Sequence, residues 1–125
     1  MKDFSIQLTH RPGELARVAT ALSRHGVNIK SLAGIAVGQQ VVLRLIADDV
    51  ESARAAFEGA NVRFEEHEVV TVLLENRAGE LATVASKLAD AGVNLQGIYL
   101  TGIEDDLVEL AIVADDVKKA KRALE

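Results

Sequence analysis

The sequence has no cysteine, no tryptophan, one proline and one tyrosine among its 125 residues. The absence of cysteine excludes disulfides, thiolate nucleophiles and cysteine-based metal sites. The scarcity of aromatic rings leaves no platform on which nucleobases could stack. Lys and Arg are scattered and the net charge is −5, so we expect no nucleic-acid partner. With 49% hydrophobic but only 3% aromatic residues, the core must be built from Leu, Val, Ile and Ala.

Long apolar runs are missing as well. No stretch approaches the roughly 20 residues that span a bilayer. The N-terminal segment MKDFSIQLTH lacks the apolar region of a signal peptide. We therefore expect a cytoplasmic protein without a membrane partner.

Signatures of catalysis are absent too. The three histidines, His10, His25 and His67, show no metal-ligand spacing with one another or with a carboxylate. The sequence also lacks the short motifs of nucleotide-binding proteins, metalloproteases and serine hydrolases. We predict no catalytic residue, no metal and no cofactor, and hence a protein that is not an enzyme.

One segment of the sequence occurs twice. LTHRPGELARVATALSRHGVNIKSL at positions 8–32 returns 66 residues later as LENRAGELATVASKLADAGVNLQGI at positions 74–98. Repetition at a fixed period predicts two structural units, which we place at residues 1–68 and 69–125. Units of about 60 residues are marginally stable alone, so we expect them to pack on each other or on a second chain.

The apolar pattern of the first unit predicts the order strand–helix–strand–strand–helix–strand. Residues 3–9 alternate as a half-buried strand does. The helix after the turn at Gly13 has an apolar stripe of Leu15, Val18, Ala19 and Leu22. Val62 and Phe64 are expected to face inward from the last strand. This order predicts the α+β fold class and a ferredoxin-like βαββαβ unit, an antiparallel sheet with helices on one face.

The second unit repeats this order but has no clear last strand. The offset between the copies grows from 66 to 67 before Asp115-Asp116, so one extra residue is present. We place it in the hairpin at residues 104–106, because a slip inside a strand would turn its apolar face to solvent. The segment 69–74 is apolar at consecutive positions. Either Val69 and Leu73 are partly exposed, or the second face of this sheet also packs against something.

A candidate binding site lies at the two ends of each first helix. Gly13 and Gly79 leave backbone N–H groups accessible at a helix N-terminus, where a carboxylate can bind. Asn28 and Asn94 open the following strand, an outer strand that can face a neighbouring unit, and an amide oxygen can accept a hydrogen bond from an ammonium group. Together these groups would fit a free α-amino acid. Alternatively, both Asn are cap residues that tolerate the left-handed conformation.

The segments HRPGELARVATALSRHGVNI and NRAGELATVASKLADAGVNL resemble the ACT domain family. The family's mark is a strand that ends in a polar residue, then x-P-G-x-L, an amphipathic helix, and G-[VI]-N-I. The resemblance implies a regulatory, non-catalytic module that pairs with other units and binds amino acids at the shared interface.

Carried over from the family, the ligand-contacting residues are His10 and Asn28 in the first unit and Asn76 and Asn94 in the second. In the first unit, His10 departs from the family's common residue. In the second unit, Ala78 replaces the motif proline, but Gly79 is kept and Asn76 and Asn94 resemble the common pair. We therefore favour the second unit's residues for binding. The arrangement of two units without an attached enzyme resembles the stand-alone two-ACT regulatory proteins.

Two hypotheses follow from this resemblance. In the first, the protein is a homodimer that senses a free amino acid at ACT–ACT interfaces and modulates a partner enzyme of amino-acid metabolism. In the second, the chain is an interaction module that dimerises or docks on an enzyme without a ligand. The segment SRHGVNIKSL also resembles the small regulatory subunit of acetolactate synthase, so the second hypothesis includes a regulatory subunit of such an enzyme.

Overall fold

The computed structural model describes all 125 residues and contains seven strands and four helices. They form two units, Lys2–His67 and Glu68–Glu125, the latter together with Met1. We call these the first and the second unit. None of the helices is both long and apolar enough to cross a membrane.

The elements of the first unit are β1 (Lys2–Thr9), α1 (Glu14–Arg24), β2 (Ile29–Val37), β3 (Gln40–Ala47), α2 (Val50–Gly59) and β4 (Phe64–Glu68). The strands form a four-stranded sheet in the order β2-β3-β1-β4. Strands β1 and β2 both pair antiparallel with β3. This arrangement confirms the predicted ferredoxin-like fold and places β2 at an edge.

The core of the first unit lies between the sheet and its two helices. Alternate residues of β1 point to this side, where Phe4 and Ile6 lie opposite Leu45 and Leu43 of β3. The three phenylalanines pack together, with ring centroids 5.2–5.8 Å apart. As predicted, Val62 and Phe64 contribute to this core, although Val62 lies before the start of β4.

The predicted apolar stripe of α1 is partly wrong. Val18 and Leu22 are buried, but Leu15 is 53% exposed and Glu14 only 7% exposed. The inward row therefore runs through Glu14, Val18 and Leu22, at a spacing of four residues. Glu14 can occupy this row because its carboxylate pairs with Arg17 and Arg11.

The elements of the second unit are β5 (Val70–Glu75), α3 (Glu80–Asp90), β6 (Leu95–Glu104), β7 (Leu107–Ala114) and α4 (Val117–Leu124). They form a three-stranded sheet in the order β5-β7-β6, in line with the prediction that this unit has no clear last strand. The core of the unit includes Val70, Val84, Leu88 and Ile112.

The extra residue of the second unit is Thr101, not a hairpin residue as predicted. Both hairpins have two residues between their strands, whereas the pairing of β6 with β7 shifts between Leu100 and Gly102. A β-bulge absorbs one residue, so that the residues beyond it keep their faces. The Thr101 hydroxyl donates to the Glu109 carboxylate across the bulge, at 2.6 Å.

The apolar segment at residues 69–74 shows both kinds of environment. Leu73 is 64% exposed, in line with the first alternative, whereas Val69 is buried. The Val69 N–H donates to the Met1 carbonyl at 3.1 Å, which ties the start of this segment to the chain's first residue.

Candidate functional site

The turns that precede α1 and α3 have the same backbone conformation. Gly13 has φ 90° and Gly79 has φ 91°, and each is the N-cap residue of its helix without a side-chain cap. A Cβ added at either glycine would meet no atom within 4 Å. The first N–H groups of a helix have no intrahelical acceptor, and the helix dipole favours a negative charge there. Each turn is thus an open position for a carboxylate.

The two asparagines at the other end of these helices are held by aspartates. The Asn28 N–H donates to the Asp48 carboxylate at 3.0 Å, and the Asp48 N–H donates to the Asn28 carbonyl at 3.1 Å. Asn94 and Asp115 repeat both contacts, each at 3.0 Å. These bonds fix the position of each Asn as it enters its edge strand.

Asn94 has one further contact that orients its side chain. Its Nδ2 donates to Oδ2 of Asp115 at 3.3 Å. Because the amide nitrogen points to the aspartate, the amide oxygen points away from it and can accept a hydrogen bond. The Asn28 side chain is exposed and is not held in this way.

Sequence reasoning missed Asp48 and Asp115. Each stands in an Asp-Asp pair whose second member caps the following helix, since Asp49 accepts from the Ser52 N–H and Asp116 from the Lys119 N–H. The repetition of both aspartates in the two units was the available signal. Helix capping accounts only for the second aspartate of each pair, Asp49 or Asp116.

The alternative interpretation of the asparagines as left-handed cap residues is wrong. The positive φ angles after α1 and α3 belong to Gly26, at 68°, and Gly92, at 73°. The only residues other than glycine with positive φ are Asn61 and Asp105. The backbone conformation of Asn28 and Asn94 therefore does not require asparagine.

A single unit does not bring the turn and the asparagine together. Gly13 and Asn28 lie at opposite ends of α1, which has 11 residues, and a helix of that length spans about 16 Å. Gly79 and Asn94 are separated in the same way by α3. The ammonium and carboxylate groups of an α-amino acid share one carbon atom. One unit can therefore hold only one of them.

His10 and Asn76 lie at corresponding positions before the two turns. The His10 N–H donates to the Gln39 carbonyl at 2.8 Å, and the Asn76 N–H donates to the Asp106 carbonyl at 2.6 Å. Both side chains are exposed. These backbone hydrogen bonds hold each residue beside the hairpin of its own unit, at the same end of the helix as Gly13 or Gly79.

The charges around the two turns differ. In the first unit Arg17 donates to Glu14 at 3.0 Å and to the Ala60 carbonyl at 3.0 Å, and Arg11 lies 3.3 Å from Glu14. The hydrogen bond from Arg17 is the main cause that holds the pKa of Glu14 below its usual value. In the second unit Thr83 replaces Arg17, and its hydroxyl donates to the Gly79 carbonyl at 3.1 Å.

A buried ion pair elsewhere in the first unit is separate from these turns. Asp3 is fully buried on β1, and Arg44 of β3 binds both of its carboxylate oxygens, at 2.7 and 3.2 Å. His67 lies 3.4 Å from the same carboxylate. No group of three or more histidine, aspartate or glutamate side chains is arranged to hold a metal ion.

Comparisons with known proteins agree with this architecture. The family model described as ACT domain matches residues 69–125. No curated protein sequence matches the chain. Protein BT0572 from Bacteroides thetaiotaomicron is similar in structure, with 24% identity, a TM-score of 0.87, and coverage of 98% of this chain and 85% of that one. The ligand-free regulatory subunit of aspartate kinase from Thermus thermophilus is also similar, with 18% identity, a TM-score of 0.66, and coverage of 98% and 88%.

The first unit repeats several structural features of the second, which the family model matches. Both sheets have the same order over their first three strands, and both first helices begin after a glycine with positive φ. In both units an Asp-held asparagine opens the edge strand. The chain is therefore a tandem of two ferredoxin-like units, of which the second, residues 69–125, matches the ACT domain family model.

Proposed function

We propose that this protein is a regulatory protein that binds a free amino acid between ACT units of neighbouring copies and thereby alters its contacts with an enzyme of amino-acid metabolism. The observation that carries the proposal is the separation of Gly79 and Asn94 by the length of α3. A donor group for a carboxylate and an acceptor for an ammonium are both present, but only a neighbour can complete the pair.

The chemistry of the two half-sites supports this ligand class. The helix N-terminus at Gly79 offers N–H groups and a favourable dipole to a carboxylate. At the other end, the amide oxygen of Asn94 is directed away from Asp115, and the nearby aspartate charge favours an ammonium group. An α-amino acid carries both groups, so it would bridge the two half-sites.

The edge strand β6 supports pairing with a second copy. Its helix-facing side chains include Leu100, which is 49% exposed, and Ile103, which is 66% exposed. A sheet edge with exposed apolar side chains is a surface that another strand commonly covers. Asn94 directly precedes this strand, so a neighbour paired along β6 would bring its own turn close to Asn94. A homodimer with ligand at the interface fits this arrangement.

A regulatory role towards an enzyme is supported by the relatives. The similar structure from Thermus thermophilus is described as a regulatory subunit of aspartate kinase. An amino acid can change such contacts only if it binds one arrangement of the units more tightly than another.

The second candidate function is a ligand-free ACT module that dimerises or docks on an enzyme, such as a regulatory subunit of acetolactate synthase. The exposed apolar side chains of β6 support this candidate equally, because a partner would bury them whether or not a ligand binds. The two candidates differ in their response to free amino acids.

A thermal-shift panel of the twenty common amino acids tests the proposal. A ligand at about 100 times its dissociation constant should stabilise the folded protein by about 2.7 kcal/mol if it binds only that state. The double variant N28A/N94A should lose the shift. The control N61G should keep it, because Asn61 adopts a positive φ of 56° and has no part in either half-site.

Three results decide between the candidates. A shift with one amino acid that disappears in N28A/N94A supports the sensor. A dimer in light scattering with no shift for any amino acid supports the ligand-free module. A shift that survives in N28A/N94A contradicts the assignment of the asparagines.

A further inference from the structure

A recess lies beside Asn28, where the second half of α1 meets the start of β2. It has a volume of about 410 Å³, and its lining includes Ala19, Leu22, Ser23, Val27 and Asn28. Because Asn28 is itself part of the lining, a ligand held by its amide lies at the edge of the recess. The recess therefore adjoins one of the two half-sites described above.

The recess is apolar and carries no charge. Leu22 and Val27 are buried and form its floor, while Ala19 and Ser23 of α1 are exposed at its rim. No lysine, arginine, histidine, aspartate or glutamate side chain lines it. A charged group placed there would lose its hydration without gaining a partner, whereas an apolar group would gain free energy by leaving water. The recess thus distinguishes ligands by the polarity of their side chains.

The second unit keeps the same apolar positions beside Asn94. The counterparts of the two floor residues are Leu88, which is 1% exposed, and Val93, which is 7% exposed. Ala89 takes the place of Ser23, which removes the only hydroxyl group from the set. The second unit is therefore the more apolar of the two at this place.

The ammonium group and the side chain of an α-amino acid are attached to the same carbon atom. When the amide oxygen of Asn28 or Asn94 accepts from the ammonium group, the ligand's side chain is within reach of the adjoining apolar positions. The aspartate that holds each asparagine supplies the nearby negative charge, and it lies outside the recess. The charged and the apolar parts of a ligand would thus meet different surroundings.

We propose that the recess beside each asparagine receives the side chain of the bound amino acid, so that the ligand is an apolar amino acid such as leucine, isoleucine, valine or methionine. This inference rests on the proposed function and adds the chemical class of the ligand to it. The second unit, with Ala89 at the rim, discriminates more strongly against polar side chains than the first.

Two ligands of similar shape test the class. The side chains of leucine and asparagine differ mainly in the polarity of the atoms that would enter the recess. Binding of leucine, asparagine and alanine to the full chain is measured by isothermal titration calorimetry. Each buried methylene group strengthens binding about fourfold. We therefore expect leucine to bind at least about tenfold more tightly than asparagine or alanine.

Charge insertion tests the location. The double variant S23D/A89D places a carboxylate at the rim of the recess in both units, and it should weaken leucine binding at least about tenfold. The control T20D/S86D adds the same charges to the same two helices at exposed positions outside the recess, so leucine binding should be kept. Circular dichroism checks that both variants fold.

A direct contact measurement complements the variants. In the leucine complex, nuclear Overhauser effects should join the ligand's methyl protons to those of Val93 in the second unit or Val27 in the first. Contacts with other methyl groups only would place the side chain elsewhere and overturn the inference.

The remaining outcomes separate this inference from the function on which it rests. If only polar or charged amino acids bind, the class is wrong but the proposed function stands. The same holds if leucine binds S23D/A89D as tightly as wild type, or if S23D/A89D and T20D/S86D weaken its binding equally. If none of the twenty amino acids binds, the proposed function fails, and this inference fails with it.

Discussion

Replacing Gly79 with Ala tests whether the turn before α3 depends on a conformation that only glycine adopts easily. Gly79 has φ 91°, and an added Cβ would meet no atom within 4 Å. The substitution therefore creates no clash, and its cost is backbone strain alone. The left-handed conformation costs an L-residue about 1–2 kcal/mol. We expect the free energy of unfolding of G79A in urea to fall by about this amount, with the slope against urea unchanged.

Gly102 provides the matched control in the same unit. A Cβ added there would also meet no atom within 4 Å, but its φ lies outside the positive range. Alanine in a strand interior is less costly than glycine by about 0.5–1 kcal/mol, so G102A should be neutral or slightly more stable. The strain argument is refuted if G79A unfolds at the wild-type urea concentration, or if G102A loses as much stability as G79A.

Three further substitutions test individual contacts. D115A removes the acceptor of both Asn94 donors and should lower the free energy of unfolding by about 1–2 kcal/mol. If an amino acid stabilises D115A against heat as much as it stabilises wild type, Asp115 does not position Asn94 for binding. The hydrogen bonds from Arg54 lower the pKa of Glu66 from its ordinary value of 4.5, so their stabilisation is complete above that value and is lost as pH falls through the lower folded-state pKa. The free energy of unfolding of wild type should therefore exceed that of E66Q by about 1 kcal/mol at pH 7, since Arg54 is partly exposed. Urea titrations should show this difference shrinking below pH 4.5. A difference that does not change with pH would exclude the ion pair as its cause. T101A removes the hydroxyl bond across the bulge and should speed amide exchange in β6, while unchanged exchange would show that the bulge does not need it.

Most of the fold could be predicted because apolar periodicity and turn residues reflect local geometry. The strands that face a core on one side alternate in sequence, and the helices begin after glycine or aspartate. The repeat made these signals stronger, since each predicted element had to agree with the residue pattern in both copies. The three-stranded second sheet followed from the same comparison.

The errors concern interactions that periodicity cannot show. Glu14 takes the inward position of α1 in place of Leu15, because two arginines neutralise its charge. The extra residue of the second unit lies at Thr101, since a bulge absorbs one residue without inverting the rest of the strand. In both cases the decisive contact joins side chains or strands whose pairing the sequence does not state.

The candidate site could be predicted only in part. The glycines and asparagines stand out through the repeat, but the contacts of Asp48 and Asp115 depend on how β3 and β7 end beside the asparagines. The length of α1 and α3 then places the turn and the asparagine at opposite ends of each unit. It is this separation that makes a neighbouring unit part of the proposed site.

A mixing experiment tests that central claim most directly. G79A and N94A each damage one half of the second unit's site, so each homodimer should give little amino-acid binding in calorimetry. In a co-refolded mixture, a site built from two copies regains an intact turn from one variant and an intact asparagine from the other, and about a quarter of the sites should bind as in wild type. If the mixture binds no better than either variant alone, the site is not shared between copies and the account is contradicted.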